Sequence, residues 1–265
     1  MENNLWNYIQ SVKNQSPLVH SITNFVVMNN TANALLAVGA SPIMSHAKSE
    51  IKDMVSISNA VVINIGTLDE YWSESMLVAA EEAHRIKKTW ILDPVGAGAT
   101  TFRDEILSKL IEFKPTVIRG NASEIIALAK ANKTITKGVD STAESNEAIT
   151  AAKYLVENYQ SVVCISGATD IIINDKEMYF IENGHLLMTK VTGLGCSASA
   201  IVGAFASIAE NKAESTVAAM AILGIAGELA EKISAGPGSL QMNILDKLYN
   251  ISEQEFFENV KVSKQ

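Results

Sequence analysis

The chain has 265 residues, of which 48% are hydrophobic, so it can bury a sizeable core and is too apolar to be disordered throughout. Its formal net charge of −8 disfavours binding to nucleic acid or to an anionic membrane, so any bound phosphate must be held by local donors. The two cysteines show no metal-binding spacing, and the N-terminal segment lacks the basic start and apolar run of a signal peptide. We therefore expect a cytoplasmic protein without a disulfide framework.

Four short runs rich in β-branched residues predict buried strands, because they are apolar without the strict alternation of a half-exposed strand. They cover residues 61–65, 89–93, 116–119 and 162–166. Helical patterns lie between them, the clearest over residues 73–87 and 143–158. Since strands and helices alternate, we expect a mostly parallel sheet with helices on its faces.

The pattern changes after the fourth run. Two apolar runs at residues 171–173 and 178–181, joined by turn residues, predict a β-hairpin. Residues 196–233 read as nearly all helix with no further strand, and another helix is predicted over residues 240–249. No linker or repeat interrupts the sequence, so we expect a single domain over residues 1–265.

Residues 191–209 carry no charge and approach the length of a membrane span. Their composition is dominated by Ala, Ser and Gly, and a glycine-rich turn precedes them. These features favour a buried core helix over a membrane-spanning one.

Polar residues follow several predicted strands, at the sheet edge where ligands collect in such folds. Asp93 stands before Pro94 in a glycine-rich turn, although an aspartate in this context often only ends a strand and caps a helix. Arg119, Asn121 and Glu124 lie close together where a helix is expected to begin. Capping explains Asn121 and Glu124 as well as a functional role does.

Arg119 is not explained by capping, and its guanidinium suits a phosphate oxygen. A carboxylate that faces a nucleotide needs a divalent cation between the two negative groups. Asp93 and Glu124 together therefore indicate magnesium.

Thr192-Gly193-Leu194-Gly195-Cys196 opens a long apolar helix and gives the sharpest local signal. Glycines let backbone N–H groups converge, and a helix N-terminus adds partial positive charge, so the segment predicts an anion site that could stabilise a phosphoryl group in transfer. Two other interpretations stay open. One is a degenerate dinucleotide fingerprint, which belongs in a strand–helix–strand unit that is not predicted here, and the other is a tight turn into a core helix.

Cys196 could instead be a hydrolytic nucleophile whose pKa is lowered by the helix end. Ala198 breaks the nucleophile-elbow pattern, and no histidine lies close in sequence. The four histidines are scattered, and we interpret each as structural or surface-exposed: His20, His46, His84 and His185. No Walker A pattern occurs, which excludes a P-loop kinase.

The chain resembles the hydroxyethylthiazole kinase family in a series of segments that occur in the same order over nearly the full length. Each segment alone is a weak signal, and their common order makes the resemblance specific. The segments are His20-Ser21-Ile22-Thr23-Asn24-Phe25-Val26-Val27, Thr31-Ala32-Asn33, Gly39-Ala40-Ser41-Pro42-Ile43-Met44, Asn64-Ile65-Gly66-Thr67-Leu68, Asp93-Pro94-Val95-Gly96-Ala97-Gly98-Ala99, Arg119-Gly120-Asn121-Ala122-Ser123-Glu124, Thr192-Gly193-Leu194-Gly195-Cys196 and Gly236-Pro237-Gly238.

This resemblance implies a ribokinase-like three-layer α/β/α fold with a mostly parallel central sheet and a C-terminal β-hairpin plus helices. It implies a homotrimer with substrate sites at the subunit interfaces. It also implies ATP-dependent phosphorylation of the hydroxyl of 4-methyl-5-(2-hydroxyethyl)thiazole in thiamin salvage, with ATP and Mg²⁺ as cofactors.

The same resemblance assigns roles to residues of this chain. The thiazole site would comprise Asn24, Val26, Met44, Gly66 and Gly193. The ATP site would comprise Arg119, Asn121 and Ser166, and the magnesium site Asp93 and Glu124. Residues expected at the reacting hydroxyl are Cys196, Gly193 and Gly195.

Ribokinase relatives usually carry an aspartate as base at the position that resembles Cys196. A thiol with an ordinary pKa of about 8.5 is a poor match for the proton of an alcohol, and a loose phosphoryl-transfer transition state needs little deprotonation. We therefore expect Cys196 to be a weak base or a group that positions the hydroxyl.

Two other functions stay open at the level of sequence. One is a ribokinase-like kinase that acts on pyridoxal, a hydroxymethylpyrimidine or a sugar. The other is a non-catalytic nucleotide-binding or regulatory protein that has kept the fold, against which the complete set of phosphate and metal candidates argues.

Overall fold

A nine-stranded sheet runs through the structure, a computed structural model that describes residues 2–132 and 144–265. The strands are β1 Leu18–Ile22, β2 Ser41–Ile43, β3 Ala60–Asn64, β4 Thr89–Asp93, β5 Val117–Asn121, β6 Val162–Ser166, β7 Asp170–Ile173, β8 Met178–Ile181 and β9 Val262–Lys264. The helices are α1 Glu2–Gln15, α2 Met28–Val38, α3 Ile51–Ile57, α4 Glu70–Arg85, α5 Thr101–Ile111, α6 Ala122–Ala131, α7 Glu144–Tyr159, α8 Leu194–Ile208, α9 Lys212–Glu231, α10 Pro237–Asn250 and α11 Glu253–Asn259, with a 3-10 helix at Leu186–Lys190.

The strand order is β2-β1-β3-β4-β5-β6-β7-β8-β9. Neighbouring strands among β1 to β6 are parallel, whereas β7, β8 and β9 each run antiparallel to the strand before them in the sheet. The order reverses at β1, which has β2 on one side and β3 on the other. Ligands of open α/β sheets bind outside the carboxyl ends of the strands near such a reversal.

Helices cover both faces of the sheet, which explains why its strands are apolar on both sides. In β3, Val61 and Ile63 pack against α3 to α7, whereas Val62 packs against the layer formed by α1, α2, α8, α9, α10 and α11. Alternate side chains of one strand therefore enter two separate cores. The three-layer α/β/α arrangement predicted from the sequence is confirmed.

The uncharged segment at residues 191–209 forms the buried helix α8, as expected. The next helix, α9, is apolar and long enough, at 20 residues, to pass a length-and-composition test for a membrane span. However, 83% of its most apolar window is buried inside the protein. In this structure α9 is a core helix that packs against α8 and α10.

The predicted strands at 89–93 and 162–166 coincide with β4 and β6, and the other two are displaced by one or two residues. The predicted hairpin is confirmed as β7 and β8. Helix α4 begins three residues earlier than predicted, because the Asp69 carboxylate accepts a hydrogen bond from the Trp72 N–H (2.7 Å) and caps the helix there. Helix α7 matches the prediction at 143–158, except that residue 143 lies outside the described residues.

The region from residue 196 to 233 consists of two helices, α8 and α9, separated at residues 209–211. No strand was predicted within residues 196–233, and none occurs there. The sequence analysis did not identify β9, which lies further along the chain and pairs antiparallel with β8 at the sheet edge. This strand has only three residues, two of them exposed, so it carries too few apolar positions for a detectable pattern.

Candidate functional site

A continuous chain of side-chain hydrogen bonds crosses the carboxyl ends of β1, β3 and β4. Asn24 Nδ2 donates to Cys196 Sγ (3.2 Å) and to Asn64 Oδ1 (2.9 Å). Asn64 Nδ2 donates in turn to Asp93 Oδ2 (2.6 Å), which also accepts a hydrogen bond from Ser199 Oγ (2.7 Å). Two residues of α8 and the ends of three strands are thus tied together by buried polar contacts.

The Gly66 N–H determines which side-chain atoms donate and which accept in this series of hydrogen bonds. It donates to Asn64 Oδ1 (2.9 Å), which fixes that atom as the amide oxygen and turns Asn64 Nδ2 toward the Asp93 carboxylate. Asn24 must then present its amide nitrogen to Asn64 and to Cys196. Exchanging the amide oxygen and nitrogen of Asn24 or of Asn64 would break at least one of these hydrogen bonds.

Asp93 is only 1% exposed, and burial raises its pKa to about 6. The positive charge of Arg119 and the hydrogen bonds from Ser199 and Asn64 act in the opposite direction, whereas the negative charge of Glu124 raises the pKa further. Desolvation therefore outweighs the favourable contacts. The positive charge near the carboxylate does not fully compensate for its burial, as expected for a group that binds a cation.

The turn before α8 requires a glycine at position 193. Gly193 has a φ of 81°, in the left-handed region, and a Cβ on it would lie 2.4 Å from Val27 Cγ1. It caps α8, whose first hydrogen bond runs from the Ser197 N–H to the Gly193 carbonyl (2.9 Å). The N–H groups of the first helical turn have no acceptor within the helix, so they are suited to an anion.

Cys196 lies in that first turn as a neutral thiol. Burial and the negative charge of Asp93 raise its pKa, and the hydrogen bond from Asn24 only partly offsets this effect. The environment is therefore the opposite of one that activates a cysteine nucleophile. The hydrolytic interpretation of Cys196 has no support in this geometry.

Arg119 reaches the same helix end from β5. A Cβ built on Gly195 would lie 3.3 Å from Arg119 Nη1, and the arginine is only 8% exposed. Its Nε is buried and has no hydrogen-bond partner among the described residues. A buried guanidinium N–H without an acceptor is costly, so this atom indicates a missing anionic ligand.

A cavity of about 590 Å³ lies in front of Arg119. Ser166 and Gly195 also line it, together with apolar side chains of α8, α9 and the segment that follows β8. The cavity thus combines a cation, the end of a helix and an apolar wall. These are the parts that an organic phosphate requires.

Asp170, at the start of β7, was not identified from the sequence. It is 9% exposed, lines the cavity, and accepts a hydrogen bond from the Gly167 N–H (3.0 Å). Burial raises its pKa to about 6, against the opposing effects of that hydrogen bond and of Arg119. It lies one residue before the hairpin predicted to begin at residue 171, and the sequence gave no functional signal there.

Asn121 and Glu124 form the predicted capping box at the start of α6. The Asn121 N–H donates to Glu124 Oε2 (2.9 Å), and the Glu124 N–H donates to Asn121 Oδ1 (2.9 Å). Glu124 Oε1 accepts a further hydrogen bond from the Gly96 N–H (3.0 Å) and so ties the turn after β4 to α6. Capping therefore accounts for the placement of both side chains.

The described residues contain no group of three or more His, Cys, Asp or Glu side chains that could hold a metal ion by themselves. The negative charge of Glu124 contributes to the raised pKa of Asp93, so the two side chains share one electrostatic environment. Magnesium is commonly held by one or two carboxylates together with phosphate oxygens and water. The pair fits that requirement only together with a phosphate ligand.

The residues predicted to bind the thiazole lie on the other side of the α8 N-terminus. Asn24 donates a hydrogen bond to Cys196, and the Gly66 N–H donates one to Asn64. Met44 follows β2, the strand next to β1 in the sheet. Val26 is 63% exposed. None of these four residues lines the cavity in front of Arg119; of the predicted site residues, only Arg119, Ser166 and Gly195 do. The four therefore form a second residue group, which is joined to the first turn of α8 by the hydrogen bond between Asn24 and Cys196.

Sequence reasoning also missed Asn64 and Ser199. A signal existed for each of them. Asn64 is a polar residue that ends a run of apolar strand residues, and Ser199 lies three residues after Cys196, on the same side of the predicted helix.

The raised pKa of Asp93 has a consequence for stability. Between the ordinary carboxyl pKa of 3.8 and about 6, the folded state binds more protons than the unfolded state, so stability falls as pH rises through this interval. Asp93→Asn removes the charge and is expected to increase the free energy of unfolding at about pH 8 by about 1–3 kcal/mol. The increase should vanish below about pH 3, where both the folded and the unfolded state of the wild type are largely protonated at Asp93.

Urea denaturation of the protein without ligands, at several pH values, measures this effect. Asp175→Asn, an exposed turn position, is the matched control and should change little at any pH. An Asp93→Asn variant that is less stable than the wild type at about pH 8 would show that the hydrogen bonds outweigh the burial of the charge.

Comparison with known proteins agrees with this geometry. The model of the hydroxyethylthiazole kinase family matches residues 9–254. A hydroxyethylthiazole kinase from Syntrophus aciditrophicus (strain SB) is 50% identical over 260 residues, which cover 98% of this chain and 96% of that protein.

Two solved structures extend the comparison. A hydroxyethylthiazole kinase protein from Pyrococcus horikoshii OT3 is 38% identical and superposes with a TM-score of 0.92 over 99% of both chains. A ribokinase-like superfamily protein from Enterococcus faecalis V583 is 12% identical, with a TM-score of 0.65 over 87% of this chain and 86% of that one, and shows the fold alone. The predicted ribokinase-like fold is confirmed, and the chain belongs to the hydroxyethylthiazole kinase family.

Proposed function

We propose that this protein is a kinase that transfers the γ-phosphoryl group of ATP to the hydroxyl of 4-methyl-5-(2-hydroxyethyl)thiazole, in thiamin salvage. The observation that carries the proposal is the position of the α8 N-terminus. Gly195, in the first turn of α8, lines the same cavity as Arg119. Cys196 accepts a hydrogen bond from Asn24, which belongs to the second residue group. A phosphoryl group moving from one side to the other passes the N–H groups of the first helical turn.

In this proposal the nucleotide binds in the cavity in front of Arg119. Arg119 supplies the buried cation for the phosphates, and its unpartnered Nε gains an acceptor there. Ser166, at the end of β6, contributes a hydroxyl from the neighbouring strand. Asn121 is exposed, and its Nδ2 is available to the nucleotide because capping uses only its oxygen.

Asp93 and Glu124 hold the magnesium ion together with the nucleotide phosphates. The raised pKa of Asp93 supports this assignment, since a cation would replace the solvation that burial removes. When bound, the ion neutralises phosphate charge and orients the transferred group.

The thiazole alcohol lies against Asn24, Val26, Met44, Gly66 and Gly193. An uncharged heterocycle needs an apolar slot with a few polar anchors, and methionine provides a soft, polarizable wall. Phe25 and Val26 are 58% and 63% exposed at this side of the site. We therefore infer that the neighbouring subunit of a homotrimer covers the thiazole.

In this mechanism Cys196 holds the substrate hydroxyl as a neutral thiol, and the α8 N–H groups next to Gly193 and Gly195 stabilise the phosphoryl group in transfer. A loose transition state leaves most negative charge on the phosphoryl oxygens, so positioned donors contribute more than removal of the alcohol proton. The protein acts as a soluble cytoplasmic enzyme in this proposal.

An ADP-release assay with a panel of alcohols tests the function. We expect turnover with 4-methyl-5-(2-hydroxyethyl)thiazole to exceed that with hydroxymethylpyrimidine, pyridoxine and ribose, and to require magnesium. Preference for another alcohol would contradict the substrate assignment. ATP binding without turnover on any of these alcohols would contradict the enzyme assignment.

Cys196→Ala is expected to keep measurable activity, with kcat reduced by less than about 100-fold, because a true general base contributes about 10²–10⁴-fold. Cys196→Asp is expected to be more active than Cys196→Ala, since a carboxylate can accept the alcohol proton. Both are compared with the wild type by steady-state kinetics. Complete loss in a correctly folded Cys196→Ala protein would exclude the positioning role.

Arg119→Ala is expected to raise the KM for ATP by about 10–100-fold, the effect of losing charge-assisted hydrogen bonds to phosphate. The KM for the thiazole should change much less. Arg85→Ala, which removes an exposed arginine paired with Glu82, is the control and should leave both values unchanged. A selective loss of thiazole affinity in Arg119→Ala would show that the residue serves the other substrate.

A further inference from the structure

The wall of the cavity opposite Arg119 is formed by a segment that belongs to neither the sheet nor an α-helix. Residues 182–191, here called the strap, connect β8 to α8 and contain the 3-10 helix Leu186–Lys190. Six strap residues line the cavity, namely Asn183, Gly184, His185, Leu186, Met188 and Thr189. The shape of the cavity therefore depends on what holds the strap in place.

Asn183 fixes the start of the strap. It is 6% exposed, and its Nδ2 donates to the Asn259 carbonyl (2.8 Å) while its Oδ1 accepts from the Lys261 N–H (2.8 Å). The Glu182 N–H donates to the Lys261 carbonyl as well (3.0 Å). The strap is thus attached to residues 259–261, the connection between α11 and β9.

Glu228 of α9 makes the second attachment. Its Oε1 accepts hydrogen bonds from the Gly184 N–H (2.9 Å), from Lys261 Nζ (3.0 Å) and from Asn183 Nδ2 (3.3 Å). One carboxylate oxygen therefore joins the strap, the helix and the C-terminal segment. These are charge-assisted contacts, and Glu228 is only 14% exposed.

The fit between strap and helix is close. A Cβ built on Gly224, one turn before Glu228 on α9, would lie 2.7 Å from both the Cβ and the carbonyl oxygen of Asn183. The strap cannot shift toward the helix, and the bonds to Glu228 oppose movement away from it. Asn183 and Gly224 also line the cavity, so a displacement here changes the space available to the ligand.

We propose that Glu228 and Asn183 are positioning residues for the nucleotide, which hold the strap against α9 and so define the cavity wall that faces Arg119. This proposal rests on the assignment of the cavity to ATP. Glu228 does not contact the nucleotide in this account. It acts through the strap, and its loss affects ATP and not the thiazole alcohol.

The test compares Glu228→Ala with Glu177→Ala. Both glutamates pair with a C-terminal lysine, but Glu177 pairs with Lys264 (2.6 Å) and has no contact with the strap among the described residues. We expect Glu228→Ala to weaken ATP binding and to raise the KM for ATP by about tenfold, because Asn183 and Gly184 lose their hydrogen bonds to the carboxylate and the strap is no longer held against α9. The KM for the thiazole should stay within about twofold, and Glu177→Ala should leave both constants unchanged.

A conservative variant separates this role from a general loss of stability. Glu228→Gln keeps an oxygen acceptor for the Gly184 N–H and is expected to recover most of the ATP affinity. If Glu228→Ala does not fold, Asn183→Ala takes its place, with the same expected rise in the KM for ATP, because it removes the contacts that fix the start of the strap. Lowered thermal stability of Glu228→Ala with unchanged ATP affinity would overturn the proposal. So would an equal rise in both KM values.

Calorimetric titration with ATP distinguishes this inference from the proposed function. If the wild type binds ATP but does not phosphorylate the thiazole, the function is wrong while the binding data still test Glu228. If Arg119→Ala binds ATP as tightly as the wild type, the nucleotide is not in this cavity, and the inference fails even where ADP release supports the kinase activity. If the wild type phosphorylates the thiazole and Glu228→Ala binds ATP as tightly as the wild type, only the inference fails.

Discussion

The burial of the Asp93 carboxylate governs the arrangement of this site. A carboxylate removed from water must be compensated by hydrogen bonds and positive charge, and here the compensation is incomplete, because the pKa stays raised to about 6. Each partner that compensates it is held by a further contact. Asn64 is oriented by the Gly66 N–H, and Ser199 is held by α8, so the residues around one charge become a rigid unit.

This unit holds the first turn of α8 between the cavity in front of Arg119 and the residue group around Asn24. The first turn of α8 contributes Cys196 to the hydrogen-bonded chain and Gly195 to the edge of the cavity. The position of this turn is fixed because the rest of α8 is mostly buried in the core. At Asp93 the folded protein keeps a charge that its surroundings do not fully stabilise.

Sequence reasoning identified the parts of the structure that depend on local chemistry. The buried strands, the capping box of Asn121 and Glu124, and the glycine turn before α8 follow from residue types within a few positions of one another, and all are present. Arg119 was singled out because no local role accounted for it. Its buried, unpartnered Nε agrees with that reasoning.

What remained hidden depends on contacts between distant parts of the chain. Ser199 and Asp93 are 106 residues apart, and only the packing of α8 on β4 brings them together. Asp170 lies within a hairpin whose pattern carries no sign of the cavity beside it. The strand β9 has three residues and is recognisable only from its pairing with β8. Tertiary packing decides these features, and a single sequence does not report it.

The two ends of the sheet bear on how copies of this protein can associate. The edge strands of the described sheet, β2 and β9, have three residues each, and they contain Pro42 and Lys264. Short edges that carry proline or lysine are poor templates for a strand from another molecule. Assembly by joining sheets edge to edge is therefore disfavoured. Any association of copies would then use side chains on helices and loops, and Phe25 and Val26 are two exposed apolar ones.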